Sequence, residues 1–395
     1  MMVDLVVISH LRWDFVWQRP QHLLSRLGKH YRIFFVEEPI ATAEIDTPQL
    51  DVREEPNNVT VIRLLQPMEN PRWIGHHDPL TSALYEAALH DYLAMMGVDK
   101  PVLWLYTPMA WHFTSAISHR MLIYDVMDEL SAFKGAPAQL RLFDELTLSK
   151  ANIVFTGGVS LYKSRRTKNP YTHLFPSGVE IDHFARAANR ASFEKPADIA
   201  HLEGPILGYY GVIDERMDLP LLAHMAAAHP EWQLMMIGPV VKIDHADLPQ
   251  APNIHYLGMK TYQELPCYLA HFDVALVPFA INEATHFLSP TKTLEYMAAH
   301  KPIVSTPIRD IAALYGSVVR IAATPEDFTA QVEDALQADH NARRALEKRM
   351  LAQHTWDSIV QRMEQLIAQR LVGETTPLVP NAKGQGEKHD QPKWA

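Results

Sequence analysis

Ser289-Pro-Thr-Lys-Thr-Leu-Glu-Tyr-Met-Ala-Ala-His-Lys-Pro-Ile-Val-Ser305 gathers a hydroxyl (Thr291), an ammonium (Lys292) and a carboxylate (Glu295) where a helix opens near Pro290. A helix N-terminus presents unpaired backbone N–H groups and a partial positive charge, which suits a phosphate. Lys292 adds a full positive charge at the same place. Glu295 follows three residues later, one turn along the same face, where a carboxylate can accept two ribose hydroxyls. Phosphate at the helix tip with a sugar one turn deeper is the geometry a nucleoside diphosphate needs. An ordinary helix with an N-terminal Pro and a solvated Lys/Glu pair explains the same residues equally well on sequence physics alone.

Four other segments carry chemistry-bearing side chains. Ser9-His-Leu-Arg-Trp-Asp-Phe-Val-Trp-Gln-Arg-Pro-Gln-His22 directly follows the first strand pattern and brings His10, Trp13, Asp14 and Arg19 together. Loops at the carboxyl ends of parallel strands are where α/β folds bind ligands. Aromatic packing with solvated charges is an equally good reading. Tyr124-Asp-Val-Met-Asp-Glu129 ends another strand, and a carboxylate there, Asp125 or Asp128, can act as a general base or as a helix cap. In Gly208-Tyr-Tyr-Gly-Val-Ile-Asp-Glu-Arg-Met-Asp218, Gly211 permits close backbone approach and Arg216 can reach a phosphate, although a plain turn reads first. Pro176-Ser-Gly-Val-Glu-Ile-Asp-His-Phe184 reads as a structural turn.

Several chemistries are excluded by motif. The chain has no Gly-x-Gly-x-x-Gly after a strand, no P-loop, no Gly-x-Ser-x-Gly elbow and no His-Glu-x-x-His. No two aspartates stand one residue apart, so the Asp-x-Asp that holds a divalent ion on a nucleotide-sugar is missing, and no metal site is expected. The basic run Lys163–Lys168 can touch an anionic membrane at about 1 kcal/mol per residue, but a solvated helix end is the simpler reading.

The elements that position these groups follow from hydrophobic patterning. Strand candidates are Leu5–Ile8, Ile33–Val36, Val59–Ile62, Val102–Leu105, Met121–Tyr124 and Ile153–Thr156, then Ile206–Tyr210, Leu234–Ile237, Ile254–Leu257, Val274–Val277, Ile303–Val304 and Val318–Ile321. Alternating with helix-period segments, they predict βαβ units and parallel sheets with both faces covered. A polar stretch from Ala185 to Gly204 divides the two series. Trp356, Ile359, Val360, Met363, Leu366 and Ile367 form the apolar stripe of a last helix, and from about Gly373 the composition is that of a disordered tail. The chain has 395 residues, 47% of them apolar and 21% charged, and its net charge of −10 argues against nucleic acid as a partner. Its single cysteine, Cys267, excludes an intrachain disulfide. No apolar run approaches the ~20 residues that span a bilayer, and the N-terminus has no basic n-region, so a cytoplasmic location is expected.

In this order the pieces resemble the two-domain, GT-B type glycosyltransferases. Phe143-Asp-Glu-Leu, Ala151-Asn-Ile-Val-Phe-Thr156, Pro176-Ser-Gly-Val-Glu180 and Phe184 are similar to the end of the first domain in family 4 enzymes. Gly208…Gly211, Leu234…Ile237-Gly238, Tyr256-Leu-Gly258, Ala275-Leu-Val-Pro278 and Glu295-Tyr-Met-Ala-Ala-His-Lys-Pro-Ile-Val304 are similar to the second. Two departures stand out: Phe287 occupies the position of a usual second Glu, and the Trp/Arg/His loop replaces a glycine-rich one. Ser-Pro-Thr-Lys-Thr-Leu-Glu is closer to bacterial exopolysaccharide and teichuronic-acid type glycosyltransferases.

The resemblance implies an α/β fold of two Rossmann-like doubly wound domains facing a cleft. Residues 1–190 would bind the acceptor and 200–352 the donor, with a helix at 355–371 crossing back to the first domain and a tail at 373–395. It implies transfer of a sugar from a nucleoside diphosphate, a UDP-sugar above others, to a hydroxyl of a glycan or lipid-linked acceptor in surface polysaccharide synthesis. It makes Gly211, Arg216, Pro290, Thr291, Lys292 and Glu295 the donor site and His10, Trp13, Asp14 and Arg19 the acceptor side. Asp128, with Asp125 as fallback, is matched to the catalytic base, and the missing second Glu tilts the reaction toward inversion. No cofactor is implied, since the nucleotide-sugar is a substrate, and peripheral contact with the inner membrane face is compatible. A sugar-nucleotide epimerase of the same fold, or a non-catalytic nucleotide-sugar binding protein, remains as the alternative.

Overall fold

The computed structural model describes residues 2–373 except 73, 79, 80, 115, 116, 134, 284, 290 and 340. The tail beyond residue 373 and Pro290 therefore lie outside the described residues. The β-branched runs form two sheets. The first contains β1 (Val3–Ile8), β2 (Tyr31–Val36), β3 (Ile40–Thr42), β4 (Gln49–Glu55), β5 (Val59–Pro67), β6 (Val102–Leu105), β7 (Met121–Val126), β8 (Ile153–Thr156) and β9 (Thr172–Leu174). Their order is β3-β5-β2-β1-β6-β7-β8-β9, with β4 antiparallel on the outer side of β5 and every other pairing parallel. The second sheet contains β10 (Ile206–Tyr210), β11 (Gln233–Ile237), β12 (Ile254–Tyr256), β13 (Val274–Val277), β14 (Ile303–Ser305) and β15 (Arg320–Ile321), in the order β12-β11-β10-β13-β14-β15 and parallel throughout.

Parallel strands buried on both faces need helices on both faces, and residues 6–8, 103–105 and 234–237 are all buried accordingly. In each sheet the first strand lies between two neighbours reached in opposite directions: β1 between β2 and β6, β10 between β11 and β13. At such a switch point the loops leaving the carboxyl ends diverge and open a crevice.

The last helix, Trp356–Gly373, packs its stripe of Trp356, Ile359, Val360, Met363 and Ile367 into the core of the first domain, among Leu5, Leu23 and Leu27. Each fully buried aliphatic side chain contributes roughly 1.5–3 kcal/mol, so the stripe ties the chain end firmly to the first sheet. His22 stacks on Trp356 with ring centroids 4.6 Å apart. Arg26, on the first helix (Arg19–Leu27), donates to Asp357 at 3.1 Å and to Glu180 at 2.9 Å. Among the described residues no helix is long and apolar enough to cross a membrane.

Strands β3, β4 and β9 were not foreseen from sequence. β4 carries Asp, Arg and two Glu and is largely exposed, so its strand state comes from the ladder on β5, not from burial. The Val318–Ile321 run contracts to Arg320–Ile321, because the N–H groups of Val318 and Val319 still bond to the Tyr315 carbonyl at the preceding helix end.

Candidate functional site

Gly211, just past β10, has φ +146°, and Gly238, just past β11, has φ +143°. A Cβ on Gly238 would overlap the Gly211 carbonyl oxygen, so only glycine lets the two loops touch. They form the floor of a cavity of about 410 Å³ between the domains. Its far wall is Lys292 and Glu295, on the helix Lys292–Ala298, and its roof is the first-domain segment Trp13-Asp-Phe-Val-Trp17.

The charged groups in this cavity are not satisfied by one another. Lys292 Nζ donates to Thr291 Oγ1 at 3.2 Å and sits 5.8 Å from the centroid of the Tyr210 ring. Thr291 precedes the helix without a side-chain capping bond. Glu295 is only 8% exposed, and its buried Oε2 has no hydrogen-bond partner. The buried Tyr210 hydroxyl lies against the same carboxylate, and burial, the neighbouring Glu295 charge and hydrogen bonding toward Glu295 hold this phenol well above its usual range. Buried polar groups left without partners are costly and uncommon, so the free Glu295 oxygen marks a place where a ligand's hydroxyl completes the bonding.

The loop after β1 divides among different tasks. Trp13 is buried, donates its backbone N–H to Glu37 Oε1 at 2.7 Å and packs edge-on to Phe35 at 5.1 Å. Asp14 is exposed and pairs with Arg53 at 2.7 Å. His10, two residues past β1, has an unpartnered Nδ1; burial, reinforced by Lys242, pushes its pKa down to about 4, so the ring is neutral at pH 7. Arg19 does not face the cleft. It is 2% exposed and clamps Asp125, itself 0% exposed, with Nε at 3.2 Å from both carboxylate oxygens and Nη2 at 3.0 Å from Oδ1. Its Nη1 donates to the Phe175 carbonyl at 2.8 Å. The acceptor-side expectation for Arg19 and the fallback role of Asp125 are thereby corrected: this sealed pair joins the first helix to β7.

Asp128, two residues past the end of β7, is half-buried and faces the other domain. Burial and the Asp214 charge raise its pKa, while Arg216 and Lys242, both from the second domain, pull it down. Arg216 is itself committed to Asp214, with Nε 2.9 Å from Oδ1 and Nη2 2.7 Å from Oδ2. Its guanidinium lies 5.5 Å from the Phe133 centroid, and Lys242 Nζ lies 4.3 Å from the same ring. Arg216, expected to contact the donor phosphate, is not among the residues lining this cavity and stands opposite Asp128. Sequence reading missed Gly238, Tyr210 and Tyr262 as cavity residues and Phe133 and Lys242 beside Asp128. Gly238 had a signal, a glycine directly after a strand; the others had none. Among the described residues no cluster of three or more His, Cys, Asp or Glu could hold a metal ion.

Residues 204–338 match the family model described as "Glycosyl transferases group 1". The chain is 26% identical over 170 residues to TuaH of Bacillus subtilis (strain 168), a protein named as a teichuronic acid biosynthesis glycosyltransferase; the match spans 42% of this chain and 42% of that protein. Sucrose-phosphate synthase from Thermosynechococcus elongatus superimposes with a TM-score of 0.69 at 17% identity, over 94% of this chain and 100% of that one. A trehalose-6-phosphate structure from E. coli bound with UDP-2-fluoro glucose superimposes with a TM-score of 0.67 at 14% identity, over 93% and 99%. At such identities these likenesses establish the fold, two Rossmann-like domains in the GT-B arrangement.

Proposed function

We propose that this GT-B protein is a glycosyltransferase that takes a sugar from a UDP-sugar and places it on a hydroxyl of a glycan or lipid-linked acceptor in polysaccharide synthesis. The observation that carries the reading is the unpartnered Glu295 Oε2 beside the Lys292 ammonium, in one cavity floored by two glycine loops. Glu295 accepts the ribose hydroxyls, and Lys292 meets the diphosphate. The family match over the second domain supports the donor class, as does the UDP-2-fluoro glucose bound to the E. coli structural neighbour.

In the reaction, the acceptor oxygen bonds to the anomeric carbon as the bond from that carbon to the diphosphate oxygen breaks. The acceptor proton passes to Asp128, and the sugar's configuration inverts. A carboxylate held above its ordinary pKa is a stronger base, provided it is ionised at working pH. Lys292 opposes the charge that grows on the leaving diphosphate, the task a divalent ion performs elsewhere, so turnover requires no metal. Closing the cleft excludes water and limits donor hydrolysis.

Release of UDP from a panel of UDP-sugars, with and without simple glycosides as acceptors, tests the reading. Acceptor-dependent release that persists in EDTA is expected. Asp128→Asn should reduce turnover ~10²–10⁴-fold with nucleotide binding intact, and should abolish an acid limb of kcat/KM lying above the ordinary carboxylate value of ~4. Binding of UDP-sugars with no transfer to any acceptor would replace an enzyme with a binding protein, and release of an epimerised nucleotide-sugar would make it an epimerase.

A further inference from the structure

A second cavity, of about 460 Å³, borders the segment directly after Asp128. Its lining combines Glu129 and Ser131, directly after Asp128, with Arg141 and Arg165 of the first domain and Glu283 and Phe287 of the second. Glu129, Ser131 and Ala132, just after Asp128, thus form part of its wall. Arg216 and Lys242 of the second domain lie over the ring of Phe133, in the same segment.

Most charges in this second cavity are already compensated. Arg165 bonds Glu129 at 2.7 Å and Asp144 at 3.2 Å, and Lys168 pairs with Glu145 at 3.3 Å. His286 contacts Arg309 at 2.8 Å. The Arg141 guanidinium and the Glu283 carboxylate have no partner among the described residues, and Arg165, 6% exposed, keeps a buried Nε with none. With three cations, Arg141, Arg165 and Lys168, facing four carboxylates, Glu129, Asp144, Glu145 and Glu283, the pocket gives no Coulomb attraction to an anionic ligand. It does offer donors and acceptors in alternation, with the Phe287 ring as an apolar platform, the combination that recognises a ring bearing several hydroxyls.

We propose that this cavity binds a neutral sugar residue of the acceptor, beside the segment that follows Asp128. The proposal rests on the glycosyltransferase reading above and replaces the loop at residues 10–19 as the acceptor's main contact.

The test is saturation-transfer NMR of the full-length protein with the methyl glycosides of glucose, galactose and N-acetylglucosamine, with methyl glucuronide as the charged control, each with and without UDP. At least one neutral glycoside should bind saturably and more tightly than the glucuronide. Arg141→Ala with Glu283→Ala, both at exposed positions, should weaken that binding about ten-fold or more, since each removes bonds to a charged group. Glu295→Ala should leave it unchanged. Absence of saturable binding by any neutral glycoside, preference for the glucuronide, or binding untouched by the double substitution would overturn the proposal. UDP titrated into the same samples reports the donor cavity separately: sugar binding without any UDP binding would sink the transferase reading and leave the sugar site standing.

Discussion

Two cation–carboxylate pairs in this protein are close in composition and opposite in state. Arg19 and Asp125 are sealed inside the first domain, with Arg19 using three nitrogens on its partners and both carboxylate oxygens engaged. Lys292 and Glu295 stand one helical turn apart at the edge of the second sheet, and neither meets the other: Lys292 reaches Thr291, and Glu295 keeps a buried oxygen unpaired. Burial alone therefore does not distinguish structure from function. What distinguishes them is whether the hydrogen-bonding capacity of the buried charge is complete without a ligand.

That contrast can be broken from either end. The largest effect is expected at the complete pair. Arg19→Ala leaves an uncompensated buried carboxylate and should lower the unfolding free energy by about 3–5 kcal/mol, whereas Arg19→Met together with Asp125→Leu should recover most of that loss. Urea denaturation of the single and double variants measures both. A single variant as stable as the wild type would mean that the pair contributes nothing to the first-domain core. A smaller effect, and one on function, is expected at the incomplete pair. Lys292→Ala should leave the melting temperature near that of wild type while weakening UDP binding roughly 10–150-fold, the equivalent of ~1.5–3 kcal/mol for bonds to a charged group. Its kcat should fall as well, because diphosphate charge increases in the transition state. Donor-saturation kinetics separates the two components, and a variant with unchanged KM and kcat would remove Lys292 from the site.

The fold was legible because its strands are short, apolar and buried on both faces: Val102–Leu105, Ile153–Thr156, Ile206–Tyr210 and Val274–Val277 have the same limits in sequence and structure. Gln49–Glu55 was not, since an exposed, charged edge strand takes its conformation from its neighbour. The Lys292/Glu295 spacing was legible because a local helix fixes it. Arg19 and Asp125 were misread for the converse reason: their types suit a ligand, but their partnership with each other and with Phe175 depends on side-chain geometry. Lys242 and Phe133 meet from different domains across 109 positions of sequence, a pairing no local pattern announces.

The most direct test of the incomplete-pair reading uses the ligand hydroxyls themselves. Affinities of UDP and of its 2′,3′-dideoxy analogue are measured by titration calorimetry for the wild type and for Glu295→Ala. If the free Glu295 oxygen holds the ribose, the wild type should prefer UDP by roughly 10-fold or more, since even one bond to a charged group is worth ~1.5–3 kcal/mol. Glu295→Ala should bind the two nucleotides almost equally, through a loss of affinity for UDP alone. A wild type that binds both equally, or a variant that keeps the full preference for UDP, would contradict the assignment of this cavity as the donor site.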